Sequence, residues 1–451
     1  MLRRLTSLAI LALTLGACAS GARPGTSLPT GAGAAALSTP ADPAGLDMAT
    51  YVRLTTGLLA EALRTGDAAT VRLFTAYAEG HDPQPEASRA IAQAALAATP
   101  VAATDDAGLR ASVARIAAGA PRVRPAAEPT AIAFPADEGD HPHALTEWWY
   151  LNGHLETRGV GPLKRRFGYE FTLFKAGALL HWAHVAVTDV TFKRFRYTRE
   201  FIPAKQAQGA IGRLAQAYGT HALEAVGPSV YKLSSGFGDS GLDLRLASRK
   251  APLLIGGNGK IDMPEGKDSW YYSQTRLAAT GAVVVGGERK EVTGVSWLDH
   301  QWGPFFVSGF ADRWDWFALQ FEDGTEYNLF GFRSASGQAG ARHVNRSGSD
   351  GRGTTGSRFT MERLDWWRSP QTGLYYTTDW RISLPDSGET VELEALVRHQ
   401  EVARRKAFVL DPLPSYWEGA MSAVKRTPDG KAVKGRAYCE HFGFKSPAGP
   451  R

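Results

Sequence analysis

Beyond Phe134 the sequence is dominated by short segments in which apolar and polar residues alternate and turn residues follow. A period of two is the pattern of a β-strand, because successive side chains point to opposite faces of a sheet. Glycine supplies 49 of the 451 residues, and turn signals occur at 322–325 and 385–388. The sequence therefore predicts a mainly β fold of antiparallel strands. The predicted strands include residues 167–174, 182–190, 191–197, 242–246, 283–285, 316–321, 327–332, 381–384, 391–397 and 437–444.

A pattern from the first half of this β region returns in the second half. An aromatic pair at 148 and 150 precedes an aromatic strand at 169–174, and the same order occurs at 314–316 and 327–332. Each copy reads as an opening strand, a turn and a second strand. The repeat predicts two tandem β domains joined near residues 303–313, with one long β-sandwich as the alternative.

The N-terminus carries a secretion signal. Arg3 and Arg4 precede an apolar run at 8–15, which is too short to span a bilayer as a permanent helix. Cys18 after Leu-Gly-Ala resembles the lipobox of bacterial lipoproteins, in which the cysteine is acylated and becomes the mature N-terminus. Ala19 in the next position resembles lipoproteins of the outer membrane. We expect a lipid-anchored protein of the bacterial cell envelope, at the outer membrane facing the periplasm; a plain signal peptide with an incidental cysteine is the alternative.

Between residues 46 and 120, apolar residues recur at helical spacing in an alanine-rich region. Gly80, the prolines at 83–85 and Thr99-Pro100 predict interruptions between helices. We expect a small helical module or stalk. The predicted order along the chain is a signal peptide at 1–18, a flexible tether at 19–45, the helical region at 46–120, a linker at 121–130, and β domains at 131–305 and 306–448.

The charge and the cysteine content argue against a nucleic-acid partner and against an internal disulfide. The net charge is +6, and its basic residues are scattered, which argues against a nucleic-acid partner. Cys439 is the only cysteine besides Cys18, so an acylated mature chain has no second thiol for an internal disulfide. We interpret Cys439 as a small buried apolar residue.

Three segments place tryptophans directly beside ionisable groups, at 147–155, 297–303 and 416–419. Trp and Tyr offer flat apolar walls with a polar edge, and a carboxyl group among them loses hydration, which raises its pKa. This arrangement is typical of a pocket for an apolar ligand, and structural aromatic clusters are the alternative. The predicted ligand-binding residues are Trp148, Trp149, Tyr150, Trp297, His300, Trp302, Trp417 and Glu418.

These segments also carry a family resemblance, which covers about residues 135–445. The chain resembles the AttH-like group of the carotenoid 1,2-hydratase superfamily, often labelled predicted secreted hydrolases. The resemblance implies two lipocalin-like antiparallel β-barrel domains. It rests on EWWYLNGHLE at 147–156, HWAHVAVTD at 181–189, WYYSQTRL at 270–277, VTGVSWLDHQWG at 292–303, WDWFALQFEDG at 314–324, YWEGAM at 416–421 and GRAYCEHFGF at 435–444.

Asp299 is the leading candidate for chemistry, since the resemblance implies a functional aspartate in its Trp-Leu-Asp motif. Hydration of an isolated alkene requires a proton on carbon, which a carboxylic acid of raised pKa can supply, and indole faces stabilise the resulting cation. Asp299 as a turn cap or as the partner of an arginine is the structural alternative.

Two other acids and one histidine are candidates for the same site. Glu147 and Glu418 each adjoin a tryptophan and could orient water, or bind an arginine between the domains. His184 matches a family segment and could act as a donor or base; a satisfied strand histidine is the alternative. Asp299, Glu147 and His184 form the predicted catalytic set.

Other reaction classes have weaker support. His141, His143 and His300 could bind zinc, but they lack a ligand-spacing signature, and we predict neither metal nor cofactor. No Gly-x-Ser-x-Gly motif is present to support the hydrolase label. We expect a hydratase-like lyase acting on an apolar isoprenoid or lipid held between the barrels. The alternative is a non-catalytic carrier of such a ligand in the cell envelope.

Overall fold

The computed structural model describes residues 46–99, 107–119, 130–159, 161, 164–263, 267–306, 313–333, 339–404 and 410–447. The predicted signal peptide with Cys18, the tether and nearly all of the linker at 121–130 lie outside these residues. Within the described ranges, no helix has both the length and the apolar character needed to cross a membrane.

The described N-terminal region is helical, with breaks near Gly80 and Thr99 where the sequence predicts them and another at Gly66 that it does not predict. Asp47 begins the first helix by accepting a hydrogen bond from the Thr50 backbone at 2.7 Å, and Gly66 follows its end in the left-handed conformation that glycine adopts without strain. The second helix ends at Gly80 and the third begins at Pro85. The helices are α1 (Met48–Thr65), α2 (Ala68–Gly80), α3 (Pro85–Ala98) and α4 (Ala107–Ala117).

These helices share a core with the β region. Tyr51 of α1 is buried, and its ring lies 5.4 Å from that of Phe306. Leu180 and Trp182 belong to the same apolar cluster as the helix residues. The helical region is therefore packed against the β structure, which differs from a free stalk.

The first sheet contains thirteen antiparallel strands within the described residues. Its strand order is β4-β3-β2-β1-β13-β12-β9-β8-β7-β6-β5, and β10 and β11 also pair with β12. The strands are β1 (Thr146–Thr157), β2 (Arg166–Ala176), β3 (Leu180–Asp189), β4 (Arg194–Phe201), β5 (Ala207–Gly209), β6 (Ala215–Tyr218), β7 (His221–Gly227), β8 (Val230–Phe237), β9 (Ser240–Ser248), β10 (Leu253–Leu254), β11 (Lys260–Met263), β12 (Lys267–Val285) and β13 (Glu288–Gly303).

The second sheet contains ten antiparallel strands within the described residues. Its order is β17-β16-β15-β14-β23-β22-β20-β19-β18, and β21 pairs with β22. The strands are β14 (Arg313–Phe321), β15 (Glu326–Arg333), β16 (Ala339–Ser347), β17 (Gly353–Gly356), β18 (Thr360–Arg368), β19 (Tyr375–Leu384), β20 (Glu389–Ala395), β21 (Glu401–Val402), β22 (Tyr416–Arg426) and β23 (Ala432–Phe442).

The two sheets repeat one design. Each opens with four consecutive paired strands, β1–β4 or β14–β17, and its last strand pairs with its first. The repeated aromatic motifs lie on the equivalent strands β1 and β14. Each sheet curls around its own apolar core, so the fold consists of two lipocalin-like half-barrels. The mainly β prediction is thereby confirmed.

One predicted strand begins too early. Residues 191–193 of the predicted segment 191–197 form a turn, and Lys193 has a positive φ of 54°. That left-handed conformation does not continue a β-strand, so β4 begins at Arg194.

Alternation along the strands separates two environments. On β1, Trp149 and Leu151 belong to the core of the first half-barrel, whereas Trp148 and Tyr150 pack in the layer between the sheets. Trp316 of β14 belongs to that layer, while Phe317 faces the second core. The two sheets therefore meet through their outer faces and leave a space between them.

Candidate functional site

An apolar cavity of about 120 Å³ lies in this layer between the sheets. Both half-barrels contribute to its wall, together with Leu413 and Pro414 of the segment before β22. Its volume exceeds the room needed by one water molecule several-fold. Among its lining residues are the aromatics Trp148, Tyr150, Phe174, Tyr271, Trp314, Trp316, Phe330, Phe332, Tyr416 and Phe442, and the acids Glu170, Asp299, Glu418 and Glu440.

Asp299 lies on β13 directly opposite Tyr150 of β1 and lines this cavity. Its Oδ2 accepts a hydrogen bond from the Tyr271 hydroxyl at 2.6 Å. Its Oδ1 accepts from Ser273 Oγ at 2.5 Å and from Trp297 Nε1 at 2.6 Å. Burial raises the pKa of Asp299 to about 7, although the three donors oppose that shift. Among the described residues, the partners of this carboxyl group are Tyr271, Ser273 and Trp297, which fits neither of the predicted structural roles, turn cap or arginine partner.

Three further carboxyl groups share the cavity. Burial raises the pKa of Glu170 to about 7 and that of Glu440 to about 8. Burial also raises the pKa of Glu418 well above its usual value, and the charges of Glu440 and Glu170 add to the shift. Such groups hold protons near neutral pH, so they can donate hydrogen bonds inside an apolar space.

Glu440 and Asp299 occupy equivalent positions in the two half-barrels. Asp299 is paired across the sheet with Tyr150, and Glu440 is paired with Trp316, the matching residue of the second aromatic motif. An indole N–H donates to each carboxyl group, and Glu440 Oε1 accepts from Trp314 Nε1 at 2.9 Å. The repeat thus brings one acid from each half-barrel to one cavity.

His184 lies behind the cavity wall. Its Nδ1 is 2.8 Å from the hydroxyl of Tyr416, which lines the cavity. Burial and the charge of Arg199 lower the pKa of His184 to about 3, so the imidazole is neutral. Arg199 in turn is bound by the Asp411 carboxylate at 2.5 Å. His184 is therefore placed to orient Tyr416.

Glu147 lies on the opposite face of β1, inside the first half-barrel. Its carboxylate is 2.7 Å from Lys175 Nζ, 2.7 Å from His141 Nδ1 and 2.8 Å from His300 Nε2. Burial alone would raise the pKa of Glu147, but the charges of Lys175 and His141 outweigh it and hold that pKa well below its usual value. Glu147 is thus an ionised partner in a buried network, separated from Asp299 by the sheet.

The same network contains two of the three histidines considered for zinc, His141 and His300, whereas His143 contacts the ring of His141 and is not part of the cluster. Ligand atoms of His141, Glu147 and His300 all lie within 4.8 Å of one another. Glu147 already accepts hydrogen bonds from both rings, and the ammonium group of Lys175 shares its carboxylate. A cation there would have to compete with that ammonium group.

The structure divides the predicted ligand-binding residues by strand face. Trp148, Tyr150 and Glu418 line the cavity, and Trp297 supports Asp299 from the layer behind it. The others lie in the half-barrel interiors and do not line this cavity: Trp149, His300, Trp302 and Trp417. The reason is the two-residue period, which sends neighbours in one motif to opposite faces.

Sequence reasoning missed several lining residues. Glu170 and Glu440 are single acids within otherwise apolar and aromatic runs, a signal that marked Asp299 but was not applied to them. Tyr271 and Tyr416 lie inside segments quoted for the family resemblance. The aromatic repeat also pointed to Trp314 and Trp316 as counterparts of Trp148 and Tyr150.

The fold and the cavity together define the class of protein, which consists of two half-barrels packed through their outer faces around an aromatic cavity lined by acids. The chain belongs to the AttH-like family, whose model matches residues 125–444, and this confirms the resemblance. No curated protein matches the chain.

Two solved structures share the fold. An AttH protein from Nitrosomonas europaea is 24% identical, and the match covers 71% of this chain and 100% of that one with a TM-score of 0.63. Kievitone hydratase from Nectria haematococca is 15% identical, and the match covers 70% of this chain and 93% of that one with a TM-score of 0.57.

Proposed function

We propose that this protein is a hydratase-type lyase that adds water to an alkene of an apolar isoprenoid or lipid bound between the half-barrels. The observation that carries the proposal is the Asp299 carboxyl group, which is buried against an aromatic cavity and has a pKa of about 7. Such a group is an acid near neutral pH in a space that admits apolar molecules. One of the solved structures that share the fold is named kievitone hydratase, and that name supports a hydratase reaction for this protein.

Asp299 supplies the proton in this scheme. The proton passes to one alkene carbon, which leaves a carbocation on the other carbon and a carboxylate on Asp299. Indole faces such as those of Trp148 and Trp316 stabilise the cation. Water then forms the new carbon–oxygen bond, and the proton it releases returns to the Asp299 carboxylate. The net reaction adds one water and leaves the enzyme unchanged.

The hydrogen bonds around Asp299 favour this role. Tyr271, Ser273 and Trp297 fix the orientation of the carboxyl group and stabilise the carboxylate that forms when the proton leaves. Tyr271 is itself held by Trp316 Nε1 at 3.1 Å and Asn328 Nδ2 at 2.9 Å, both from the second half-barrel. The acid is thus positioned by residues of both sheets.

The test is turnover in isotopically labelled water with a panel of isoprenoid alkenes that includes geraniol and squalene. We expect mass spectrometry to show the gain of one labelled water with the wild type. Asp299→Asn should abolish the gain while ligand affinity stays within roughly tenfold, because the amide keeps the shape and cannot donate an acidic proton. Asp350→Asn, in an exposed turn, is the matched control.

A non-catalytic carrier is the competing function, since the apolar cavity would serve it equally. A carrier would bind members of the panel and return them unchanged with both wild type and Asp299→Asn. A stable Asp299→Asn protein with full turnover would contradict the assignment of the acid.

We further propose that the protein is exported and anchored in the bacterial cell envelope, at the outer membrane facing the periplasm. The support is the N-terminal sequence, with its charged start, its apolar run at 8–15 and Cys18. An anchor would hold the cavity close to a source of apolar molecules.

A further inference from the structure

Two carboxyl oxygens of the cavity have no hydrogen-bond partner among the residues that the structure describes. Glu170 and Glu418 line the cavity and are fully buried. Glu170 Oε1 accepts from Thr172 Oγ1 at 2.6 Å and Glu418 Oε1 accepts from the Tyr150 hydroxyl at 2.7 Å, whereas Oε2 of each has no partner within the described part of the chain. A buried polar atom without a partner destabilises the folded state, so two such atoms in one cavity point to a ligand that supplies the missing hydrogen bonds.

A third acid, Glu440, lies beside Glu418 and adds to the reasons for these carboxyl groups to be uncharged. Glu418 and Glu440 are direct cross-strand partners on β22 and β23 and face the same cavity. Like charges in such a pair are destabilising, and burial adds to the penalty. Uncharged carboxyl groups avoid both costs, and their O–H groups can then donate to a ligand.

The lining is also one-sided in charge. Among the described residues that line the cavity there are four acids and no Lys, Arg or His. Arg199, a cation behind the wall, lies 5.8 Å from the ring centre of Tyr416 and is bound to Asp411. The described wall therefore holds no cation to neutralise an anionic ligand.

We propose that Glu170 and Glu418 bind an uncharged hydroxyl or carbonyl group of the ligand, so that the cavity takes neutral apolar molecules bearing an oxygen substituent and excludes carboxylates. This inference rests on the proposed function only in taking the cavity as the ligand site, and it narrows the substrate class. A protonated glutamate donates its O–H to such an oxygen. A ligand carboxylate would instead lose hydration in an apolar space beside acids.

The test compares three ligands of one carbon skeleton: geraniol, geranic acid and geranylamine. Their binding to the full-length protein is followed by tryptophan fluorescence, because Trp148, Trp314 and Trp316 line the cavity. At a slightly acidic pH that ionises the free acid, we expect geraniol to bind at least about tenfold more tightly than geranic acid. Equal or tighter binding of geranic acid would overturn the proposal, as would preference for the amine.

Glutamine variants locate the effect. Glu170→Gln combined with Glu418→Gln should reduce the preference for geraniol over geranic acid to within about threefold, because the amides keep N–H donors for a ligand oxygen and cannot lose a proton to become carboxylates beside an anionic ligand. Glu362→Gln, on an exposed part of β18, should retain the full preference. An unchanged preference in a folded double variant would contradict the assignment, and the single variants serve if the double variant does not fold.

Failure of this inference is distinguishable from failure of the proposed function. Ligand preference is read from binding alone and should persist in Asp299→Asn. If Asp299→Asn loses turnover but still prefers geraniol over geranic acid, the result bears on Asp299 as the proton donor. If the wild type turns over geranic acid, the result contradicts the proposed class of neutral ligands.

Discussion

Glu440 shows how burial turns a carboxyl group into a source of pH dependence. Its folded pKa of about 8 exceeds the ordinary value of 4.5 because burial disfavours the charged form. Between these values the folded state keeps a proton that the unfolded state releases, so stability falls as pH rises from about 4.5 to about 8. Above that window the penalty is complete.

We therefore expect Glu440→Gln to be more stable than the wild type, with a gain that grows across that window to a few kcal/mol, since each pKa unit corresponds to ~1.4 kcal/mol. The amide oxygen can still accept from Trp314 Nε1. Chemical unfolding at several pH values measures the gain, with Glu392→Gln on β20 as the partly exposed control. A gain that is independent of pH would contradict the raised pKa of Glu440.

Glu147 is the opposite case, an ionised acid held by cations. Glu147→Gln should lower the free energy of unfolding by about 3–5 kcal/mol, because it removes the shared partner of Lys175, His141 and His300. Ligand affinity of the folded protein should stay near wild type, since the side chain faces away from the cavity. Unfolding and binding measurements separate the two effects.

Glu156→Gln is the control on the same strand. Its pair with Lys164 is about one third exposed, and exposed pairs contribute little. If a stable Glu147→Gln protein lost ligand binding, Glu147 would have to take part in binding, and this would contradict its role as a structural residue of the interior network.

At the scale of strands and helices, the alternation of apolar and polar residues was enough to locate many strands. It did not show which face of each strand meets the cavity. The predicted segments 167–174 and 316–321 lie inside β2 and β14. On β1, however, Glu147, Trp148 and Trp149 are all mainly buried, because one face meets the half-barrel core and the other meets the second sheet. A strand buried on both faces has no polar side, so its sequence does not tell which acid enters the cavity.

The helical region was predicted as a module, but the sequence did not show what it covers. Helix α1 places Tyr51 against Phe306, and Leu180 and Trp182 join the same cluster. Contacts of this kind depend on residues far apart in the chain, which a local periodicity does not report.

We expect a chain beginning at Thr130 to keep a β-type far-UV spectrum but to expose the patch around Leu180, Trp182 and Phe306. The patch should appear as increased binding of a hydrophobic dye and lower solubility. A truncated chain as soluble and dye-free as the full one would show that the helices are dispensable.

In the full chain, Tyr51→Ala should cost about 3–5 kcal/mol of stability by opening a cavity at the same contact.

At the scale of the whole molecule, two half-barrels of one design bring equivalent acids, Asp299 and Glu440, to a shared space. The aromatic repeat in the sequence predicted two related domains. It did not predict that the domains meet through their outer faces, because this depends on how two sheets pack rather than on either pattern alone. That packing decides which half of every aromatic motif lines the cavity.

Anchoring is a separate property of the whole chain. Cys18→Ser should abolish acylation and leave uncleaved or soluble precursor, because the lipid supplies the membrane affinity. Partition between detergent and aqueous phases measures the change, and Cys439→Ser, at the buried cysteine, is the matched control. Equal partition of Cys18→Ser and wild type would contradict the lipoprotein proposal.

The most direct test of the central claim is a titration of the Asp299 carboxyl group in the full-length protein. Infrared difference spectra between wild type and Asp299→Asn isolate the absorption of this one group and report its protonation state at each pH. The account predicts a protonated carboxyl group in mildly acidic solution that ionises with a pKa of about 7. A carboxylate that is already ionised at pH values just above its ordinary pKa of 3.8 would contradict the assignment of Asp299 as the acid of the cavity.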